Sequence, residues 1–479
     1  MNAPLKLGDT YSSTVKATVA ADVDVLIAGG GTAGVVAAIA AARAGARTLL
    51  VERSGRLGGM MTAGNAGLTK YIVHDKRQSH HRDIVARLRE DPGSVQVVGG
   101  IPMEITQRLV DAGAGLATGG HAGSYVFTAA EDFNYLLLTM MEESGVELLL
   151  HSPIVDVISD ESALRGVVVE NKSGRQALLA RIVIDATGDG DVAARAGAPF
   201  IVGVGPDDPS VSIGLEPGSM AMMGVMFRAG NVDLERMFAH LKDNREQFNV
   251  QGCALMGLDD ACECHRNGEM MTINVRTPNR GIQIYNTPLA GVVTLCCPCY
   301  TGNGLDVGDL TRGQIALVKE VRAFLQDLKE HIPGFEEAFL MDTPEIGVRE
   351  TRHIQGEYLL TVYDLLDQRT FPDSIGRGSH PIDVGPVPEE LKDRPMENWF
   401  FSMPYRCLVP KQIDNLLVAG RCISATHEAF GCTRPTVQCM ITGQAAGVAA
   451  ALCAADAVAP RDLDTERLRE RLAADGVLL

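Results

Sequence analysis

The first part of the chain alternates short apolar runs with longer segments of helical periodicity. Residues 24–28 form an apolar run that ends in a glycine-rich turn, and residues 48–51 form a second run after an alanine-rich segment. This order predicts a β-α-β unit over residues 24–53. Residues 131–144 have apolar side chains at helical spacing and precede Gly145, which predicts a helix with a glycine C-cap.

A group of short strands follows that helix. Residues 146–150 are almost wholly apolar and predict a buried strand. Residues 153–158, 164–170 and 176–184 are separated by polar turns, one of which reads Asn-Lys-Ser-Gly. Three strands joined by such turns predict an antiparallel β-meander, and the last strand runs into a second glycine-rich turn.

The regular alternation is lost between residues 200 and 400 and returns towards the C-terminus. The middle region has mixed strands, a helix over residues 311–329, and loops rich in proline, glycine and aspartate over residues 371–396. Residues 415–420 predict another buried strand. A long apolar helix then begins at Pro435, because proline is favoured in the first turn of a helix.

These patterns predict an α/β fold with a discontinuous parallel-sheet domain and one insertion. Residues 1–21 are expected to be a flexible lead-in. Residues 22–199 and 400–479 would form the first domain, and residues 200–399 would form a mixed α+β domain that covers a substrate. A chain of 479 residues is long enough for such a division.

Charge and cysteine content narrow the classes of function. The formal net charge of −17 disfavours nucleic acid and anionic membranes as partners. Eleven unevenly spaced cysteines favour reduced thiols in a cytoplasmic enzyme over a disulfide framework. Residues 25–42 and 437–454 are apolar but interrupted by glycine or glutamine, so we expect buried helical elements and no membrane span.

The first glycine-rich turn has the spacing of a dinucleotide-binding site. Gly29 allows a tight turn, Gly31 lets the backbone approach a pyrophosphate, and Gly34 lets the helix pack against the strand. Glu52 ends the second strand, 21 residues after Gly31, where its carboxylate would accept a hydrogen bond from a ribose 2′-hydroxyl. An unphosphorylated ribose is favoured, as in FAD or NAD.

Further motifs resemble those of one flavoprotein group. They are RLGGMMTAG at residues 56–64, the Ala-Thr-Gly turn at 186–188, EIGVRETRHIQGEYLLT at 345–361 and YRCLVPKQIDNLLVAGRCIS at 405–424. Together with the first turn they resemble the bacterial FAD-dependent oxidoreductases of the glutathione-reductase-like superfamily, over residues 22–455. The resemblance implies a Rossmann-like FAD-binding domain of the glutathione-reductase type, in which a β-meander accompanies the parallel sheet.

The resemblance also implies which residues bind FAD. The ADP part would lie on the first turn, and the flavin would lie beside the helix that begins at Pro435, whose N-terminus would stabilise negative charge on the reduced ring. The implied cofactor-binding residues are Gly29, Gly31, Thr32, Ala33, Gly34, Glu52, Arg53, Gly58, Gly59, Met60, Val155, Ala186, Thr187, Gly188, Asp189, Gly420, Arg421, Arg434, Thr436 and Val437.

Two candidate catalytic residues lie in the motif that begins EIGVRE. We expect this motif to be an extended strand, which would place Arg349 and His353 on one face and Glu350 on the other. Arg349 would bind an anionic or carbonyl substrate, and His353 would transfer a proton while the flavin transfers a hydride. The alternative is that Arg349 and Arg352 pair with nearby acids as part of the fold.

A third candidate catalytic residue, His427, lies in the loop before the C-terminal helix. The family layout places it near the flavin ring, and a catalytic role and a loop-stabilising hydrogen bond both stay open. Arg434 would add positive charge near the flavin or pair with Glu428.

The cysteines between residues 262 and 299 suggest a metal site but lack a suitable spacing. Their sequences, Cys-Glu-Cys-His and Cys-Cys-Pro-Cys, match no zinc ribbon or ferredoxin pattern. We therefore predict no metal site and expect small buried apolar thiols.

The predicted function is that of an enzyme, an FAD-dependent oxidoreductase that transfers a hydride between a small organic substrate and flavin N5. No second G-x-G-x-x-G follows a strand, so O2, a quinone or a carrier protein is expected to exchange electrons with the flavin. A flavin-dependent hydratase or isomerase without net redox change, and an electron-transfer subunit of a larger complex, are the alternatives. Assembly as a homodimer is left open.

Overall fold

The structure is a computed structural model that describes residues 15–67, 87, 90–117, 126–160, 162–249, 257–392 and 398–479. The strands within these residues are β1 (Thr18–Ala28), β2 (Thr48–Val51), β3 (Gly115–Ala117), β4 (Val126–Thr128), β5 (Glu147–Leu149), β6 (Ile154–Asp160), β7 (Ala163–Asn171), β8 (Gly174–Asp185), β9 (Phe200–Val202), β10 (Met223–Gly230), β11 (Phe248–Asn249), β12 (Thr272–Arg276), β13 (Gly281–Asn286), β14 (Val293–Tyr300), β15 (Phe339–Leu340), β16 (Arg352–Ile354), β17 (Ser374–Gly378), β18 (Phe401–Pro404) and β19 (Leu416–Val418).

The α-helices range from single turns to 25 residues. Those within the described residues are α1 (Thr32–Arg43), α2 (Met60–Ala63), α3 (Gly100–Asp111), α4 (Ala130–Ser144), α5 (Asp191–Arg195), α6 (Leu234–Asp243), α7 (Leu258–Arg266), α8 (Val307–His331), α9 (Val362–Leu366), α10 (Glu389–Lys392), α11 (His427–Thr433), α12 (Thr436–Asp456) and α13 (Thr465–Ala474). The predicted helices at 131–144, 311–329 and from Pro435 are confirmed as α4, α8 and α12.

The first sheet has seven strands and contains the predicted β-α-β unit. β1 lies between β2 and β8 and is parallel to both, and β5 and β19 extend the parallel part. β6, β7 and β8 are antiparallel neighbours, so the predicted β-meander is confirmed. Because β1 is the centre of the parallel order, the turn after it lies where open α/β sheets bind their ligands.

β1 begins earlier than the sequence predicts. Thr18 and Val19, which fall in the predicted lead-in, pair with Gln176 and Ala177 of β8. The long β8 provides backbone partners for these residues, and this tertiary pairing is not visible in the local sequence. The first 14 residues of the predicted lead-in lie outside the described residues.

The second sheet has six antiparallel strands in the order β11-β12-β13-β14-β10-β15. Side chains from α6, α7 and α8 pack with its strands in a separate hydrophobic core, whose buried members lie between Val225 and Ala338. Residues from Ile354 to Trp399 contribute instead to the core of the first sheet. The separate core is therefore smaller than the predicted insertion of residues 200–399.

α1 and α12 meet in backbone contact. A Cβ on Gly443 would lie 2.2 Å from the carbonyl oxygen of Ala33, and a Cβ on Gly447 would lie 2.2 Å from that of Ala37. α12 is the one helix in the described parts of the chain that is long and apolar enough to cross a membrane. Because 94% of its apolar stretch is buried inside the protein, α12 has the burial of a core helix.

Substitution of a contact glycine should test this helix pair. We expect Gly447→Ala to lower the free energy of unfolding by about 3 kcal/mol, because the added methyl group meets backbone atoms that a rotamer change cannot relieve. Gly281→Ala is the matched control, since no atom lies within 4 Å of its Cβ position. Urea unfolding followed by circular dichroism measures both, and equal stability of the two variants would contradict the contact.

Candidate active site

The glycine turn after β1 has the geometry that its sequence predicts. Gly29 has a φ of +99°, and a Cβ there would lie 2.7 Å from the carbonyl oxygen of Ala186. A Cβ on Gly34 would lie 1.8 Å from the carbonyl oxygen of Gly29. At Gly31, the N-cap of α1, no atom lies within 4 Å of the Cβ position. Gly31 therefore borders open space, while the other two glycines hold the turn closed.

The N-terminus of α1 is equipped for an anion. No side chain caps it, and its first turn, which includes Thr32 and Ala33, has no acidic residue. Its first backbone N–H groups are consequently available, and the helix dipole adds partial positive charge. This arrangement fits the pyrophosphate of FAD.

Glu52 stabilises the same turn through backbone hydrogen bonds. Its two carboxylate oxygens accept hydrogen bonds from the N–H of Gly30 at 2.7 Å and of Ser54 at 2.8 Å. Each oxygen keeps a second lone pair that a ribose hydroxyl can use. The neighbouring Arg53 is exposed, and Val155 on β6 is 38% exposed, so both can be reached by a ligand at this end.

The segment at residues 58–60 joins the turn to the rest of the site. The Gly58 N–H donates to the Gly30 carbonyl at 2.8 Å, and a Cβ on Gly59 would lie 3.1 Å from the Gly31 Cα. Met60 begins α2, and its Cε lies 3.1 Å from the Cβ position of Gly347. Met60 is thus the side chain that connects the glycine turn to the segment before Arg349.

A buried carboxylate shapes the loop after β8. Asp185 accepts hydrogen bonds from the backbone and hydroxyl of Thr187 and from the Ala193 N–H. Burial raises the pKa of Asp185, and these donors oppose that rise. The loop therefore keeps the Ala186 backbone against Gly29 and turns Gly188 and Asp189 towards Arg421.

Gly420 and Arg421 come together with the other predicted cofactor-binding segments. The Cβ of Ala33 lies 3.0 Å from the Cβ position of Gly420, whose N–H donates to the Thr442 hydroxyl. The Arg421 guanidinium bonds to the Asp189 carboxylate at 2.9 Å and to the carbonyl oxygen of Arg349 at 3.2 Å. Arg421 thus links the loop after β8 to the candidate substrate arginine.

The N-terminus of α12 is a second uncapped helix end. Pro435 is its N-cap, its first turn contains Thr436 and Val437, and neither a side-chain cap nor an acidic residue is present there. The preceding Arg434 forms an ion pair with Asp383 at 2.6 Å. The predicted alternative, a pair with Glu428, is wrong, because Glu428 instead accepts a hydrogen bond from the Ser210 N–H.

Arg349 lies next to a cysteine and a glycine. Its Nη1 donates to the carbonyl oxygen of Met222 at 2.7 Å and to the Cys299 sulfur at 3.6 Å. A Cβ on Gly224 would lie 3.1 Å from Nη2, so this glycine gives the guanidinium its space. Burial lowers the pKa of Arg349, but Cys299, Cys296 and the Asp383 carboxylate together raise it above its usual value.

The prediction of one extended strand over residues 345–361 is wrong. Only β16 is a strand in this segment, and Glu350 lies just before it. The Glu350 carboxylate accepts from His353 at 2.9 Å and from His427 at 2.8 Å, so Glu350 is on the same side as His353. Both imidazoles are 2% exposed. The alternation rule fails because the chain is irregular between Gly347 and Arg352.

Glu350 and Asp383 are site residues that the sequence did not identify. Glu350 had a signal, because it is the one carboxylate within the Arg-Glu-Thr-Arg-His run, but the assumed strand assigned it to the opposite face. Asp383 lies in a proline- and glycine-rich loop, 51 residues before its partner Arg434, and no local pattern indicates that contact.

The thiols are less buried than expected. Cys299 is exposed, Cys264 is intermediate and Cys262 is buried. The side chain of Cys297 lies outside the described residues. Within the described part of the chain, no group of three or more His, Cys, Asp or Glu residues could hold a metal ion.

Solved structures that are similar to this chain include a reductase-like protein, a halogenase and a monooxygenase. A geranylgeranyl bacteriochlorophyll reductase-like protein from Thermoplasma acidophilum is 13% identical with a TM-score of 0.46, covering 95% of this chain and 84% of that one. The myxobacterial FAD-dependent chondrochloren halogenase CndH is 13% identical with a TM-score of 0.45, covering 95% and 78%. The p-nitrophenol 4-monooxygenase PnpA from Pseudomonas putida DLL-E4 is 11% identical with a TM-score of 0.42, covering 95% and 82%. These values are too low to assign a reaction.

The family comparison is decisive. No curated protein matches the chain. The family described as FAD dependent oxidoreductase matches residues 24–472, from the start of the glycine motif to the last helix. That match spans every cofactor-binding segment described above. The chain therefore belongs to the FAD-dependent oxidoreductase family, and it is an oxidoreductase whose cofactor is FAD.

Proposed function

We propose that this enzyme transfers a hydride between a small organic anion and N5 of the flavin, with the anionic group bound by Arg349. The observation that supports this proposal is the charge balance of three neighbouring arginines. Arg421 is paired with Asp189 at 2.9 Å and Arg434 with Asp383 at 2.6 Å. Asp383 also acts on Arg349, but its carboxylate is paired with Arg434. No carboxylate of the described residues lies within ion-pair distance of Arg349, so an anionic substrate would be its partner.

The surroundings of Arg349 support an anionic ligand. A guanidinium that is partly removed from water is destabilised unless an opposite charge or several acceptors replace its hydration. Its observed acceptors are one carbonyl oxygen and one sulfur, both reached by Nη1. A carboxylate matches the planar donor fork of arginine, which makes it the favoured anionic group.

The described residues fit FAD at both of its ends. The N-terminus of α1 with Gly31 would hold the pyrophosphate, and Glu52 would accept a ribose hydroxyl. The N-terminus of α12 would lie beside the flavin pyrimidine. When bound, the flavin supplies a hydride acceptor or donor at N5. The protein orients the substrate through Arg349 and places positive potential from α12 beside the ring.

The predicted roles of His353 and His427 stay proposals. Both rings are buried and hydrogen-bonded to Glu350. This favours an electrostatic effect of the two histidines on the site over direct contact between either ring and a substrate. Proton transfer by His353 would need a path from its Nδ1, which has no hydrogen-bond partner among the described residues.

Several finer features belong to the same proposal. The order β5-β2-β1-β8 with the β6–β8 meander favours a fold of the glutathione-reductase type. We keep residues 22–199 and 400–479 as the FAD-binding domain, with a cover domain inside residues 200–399 that is built on the core between Val225 and Ala338. Electron exchange with O2, a quinone or a carrier protein, assembly as a homodimer and a cytoplasmic location are also proposed.

Anaerobic flavin bleaching tests the substrate class. We expect a small carboxylate to bleach the flavin stoichiometrically, and a hydratase or isomerase would not show this.

A variant of Arg349 tests the anion site itself. In Arg349→Gln the KM for the carboxylate should rise about 100-fold, because hydrogen bonds to a charged group contribute up to ~3 kcal/mol. Arg236→Gln is the control, since Arg236 is 61% exposed on α6, and it should retain the wild-type KM. Equal bleaching by neutral amides of the same acids would disprove the anion requirement.

Alkylation of Cys299 tests the anion site without a known substrate. Its exposed sulfur lies 3.6 Å from Arg349 Nη1, so an anionic reagent should be drawn to it. The ratio of iodoacetate to iodoacetamide labelling, measured by peptide mass spectrometry, should fall about tenfold in Arg349→Gln. Glutathione added to the same reaction is the reference, and its ratio should not change. An unchanged ratio at Cys299 would show that the guanidinium does not attract anions there.

A further inference from the structure

Glu350 is the centre of a buried polar cluster that connects three parts of the chain. Its side chain is 0% exposed and accepts hydrogen bonds from His353, from His427 and, through its second oxygen, from the Ala221 N–H at 2.7 Å. An ionised carboxylate can only accept, so both imidazoles donate to it, His353 through Nε2 and His427 through Nδ1.

The same cluster fastens the segment whose last residue contacts Arg349. We call residues 205–222 the cover segment. Glu350 accepts from the N–H of Ala221, and the adjacent Arg349 donates to the carbonyl oxygen of Met222. Consecutive side chains of one segment therefore bind backbone groups of consecutive residues of the other.

The other end of the cover segment is held against α11. The Asp208 carboxylate accepts from the His427 backbone N–H at 3.0 Å, and Glu428 accepts from the Ser210 N–H at 2.8 Å. Asp208 also accepts from the Gly205 N–H at 2.7 Å, which closes the start of the cover segment. The buried carboxylates of Glu350, Asp208 and Glu428 thus join the cover segment to the N-terminus of α11.

We propose that Glu350, next to Arg349 in the chain, is a positioning residue that keeps His427 protonated and, through the Ala221 N–H, couples that charge to the seating of the cover segment. Its place in the reaction rests on the proposed function, but the charge of His427 and the seating of the segment do not. One ionised carboxylate between two imidazoles is neutralised when one ring is cationic, and burial makes that neutralisation necessary.

The charges around His427 agree with this assignment. The groups that face it are the carboxylates of Glu350, Glu428 and Asp208. Burial lowers the pKa of His427, but the hydrogen bond and charge of Glu350, with the charges of Glu428 and Asp208, raise it above 6.5. Burial likewise raises the pKa of Glu350, and the two histidines bring it down to about 2. Arg434 also interacts with the charge of Glu350: burial lowers the pKa of Arg434, and the charges of Asp383 and Glu350 oppose that lowering.

The sign of the pH dependence follows from these directions. A histidine whose folded pKa is raised contributes stability that is complete below 6.5 and is lost as the pH rises through the folded pKa. A carboxyl whose folded pKa is lowered contributes above 4.5 and loses that contribution as the pH falls towards about 2. The cover segment should therefore be seated most firmly between these limits.

Histidine hydrogen–deuterium exchange, read by mass spectrometry on the FAD-loaded protein, tests the proposal without any substrate. We expect His427 to titrate above pH 6.5 in the wild type and at a lower pH in Glu350→Gln, where only Glu428 and Asp208 still oppose burial. Amide exchange in the cover segment should be roughly tenfold faster in Glu350→Gln. Glu345→Gln is the control, because Glu345 is an exposed glutamate in the same 345–361 motif as Glu350. It should change neither the titration of His427 nor the amide exchange of the cover segment.

Each outcome has one interpretation. A wild-type His427 that titrates at or below pH 6.5 overturns the proposal, as does an unchanged titration in Glu350→Gln. If Glu350→Gln does not fold, Glu350→Asp replaces it, and a loss of flavin with unchanged His427 titration would show that Glu350 is only structural. Failure of the proposed function, seen as no bleaching by any carboxylate, would leave the histidine titration unaffected.

Discussion

The backbone contact between α1 and α12 is the constraint on which the rest of the site depends. Both helices are apolar, both begin without a side-chain cap, and Gly443 and Gly447 let them approach until a methyl group would no longer fit. Because helix axes are rigid over this length, that contact fixes the position of one N-terminus relative to the other. In the binding mode proposed above, one end holds the pyrophosphate and the other lies beside the flavin ring, so glycine packing would set the spacing between the two halves of FAD.

The sequence predicted those parts of the fold that depend on local backbone geometry. A glycine turn between an apolar strand and an alanine-rich helix has one stable arrangement, and Gly29, Gly31 and Gly34 adopt it. The meander and α4 follow from turn residues and from Gly145, which takes the left-handed C-cap conformation. Pairings between distant segments were not predictable in this way. Thr18 found a partner in β8, 158 positions along the chain, because tertiary pairing extended a strand that its own residues do not specify.

Glu350 and Asp383 make further contacts between distant segments that local sequence patterns could not predict. The rule that assigned Glu350 to the opposite face from His353 assumes a regular strand, and the chain is irregular there. The partner of Arg434 depended on a loop whose conformation has no periodic signal. In both cases the residue types were informative, because arginine and histidine in the interior require nearby carboxylates. The sequence could therefore predict that acids would be present, and only the fold could show which ones.

The position of Arg349 also explains the unusual cysteines of β14. Gly224 pairs with Cys299 and Met226 pairs with Cys296, so between these pairs one residue of β10 opposes two of β14. This bulge puts Cys296 and Cys299 on one face, where a regular strand would have separated them. Both sulfurs lie close enough to act on the Arg349 guanidinium. Sulfur is small, polarisable and weakly hydrogen bonding, so it lines a cation without neutralising it. A carboxylate at either position would form the ion pair that Arg349 lacks, and the arginine would then be unavailable to an anionic substrate.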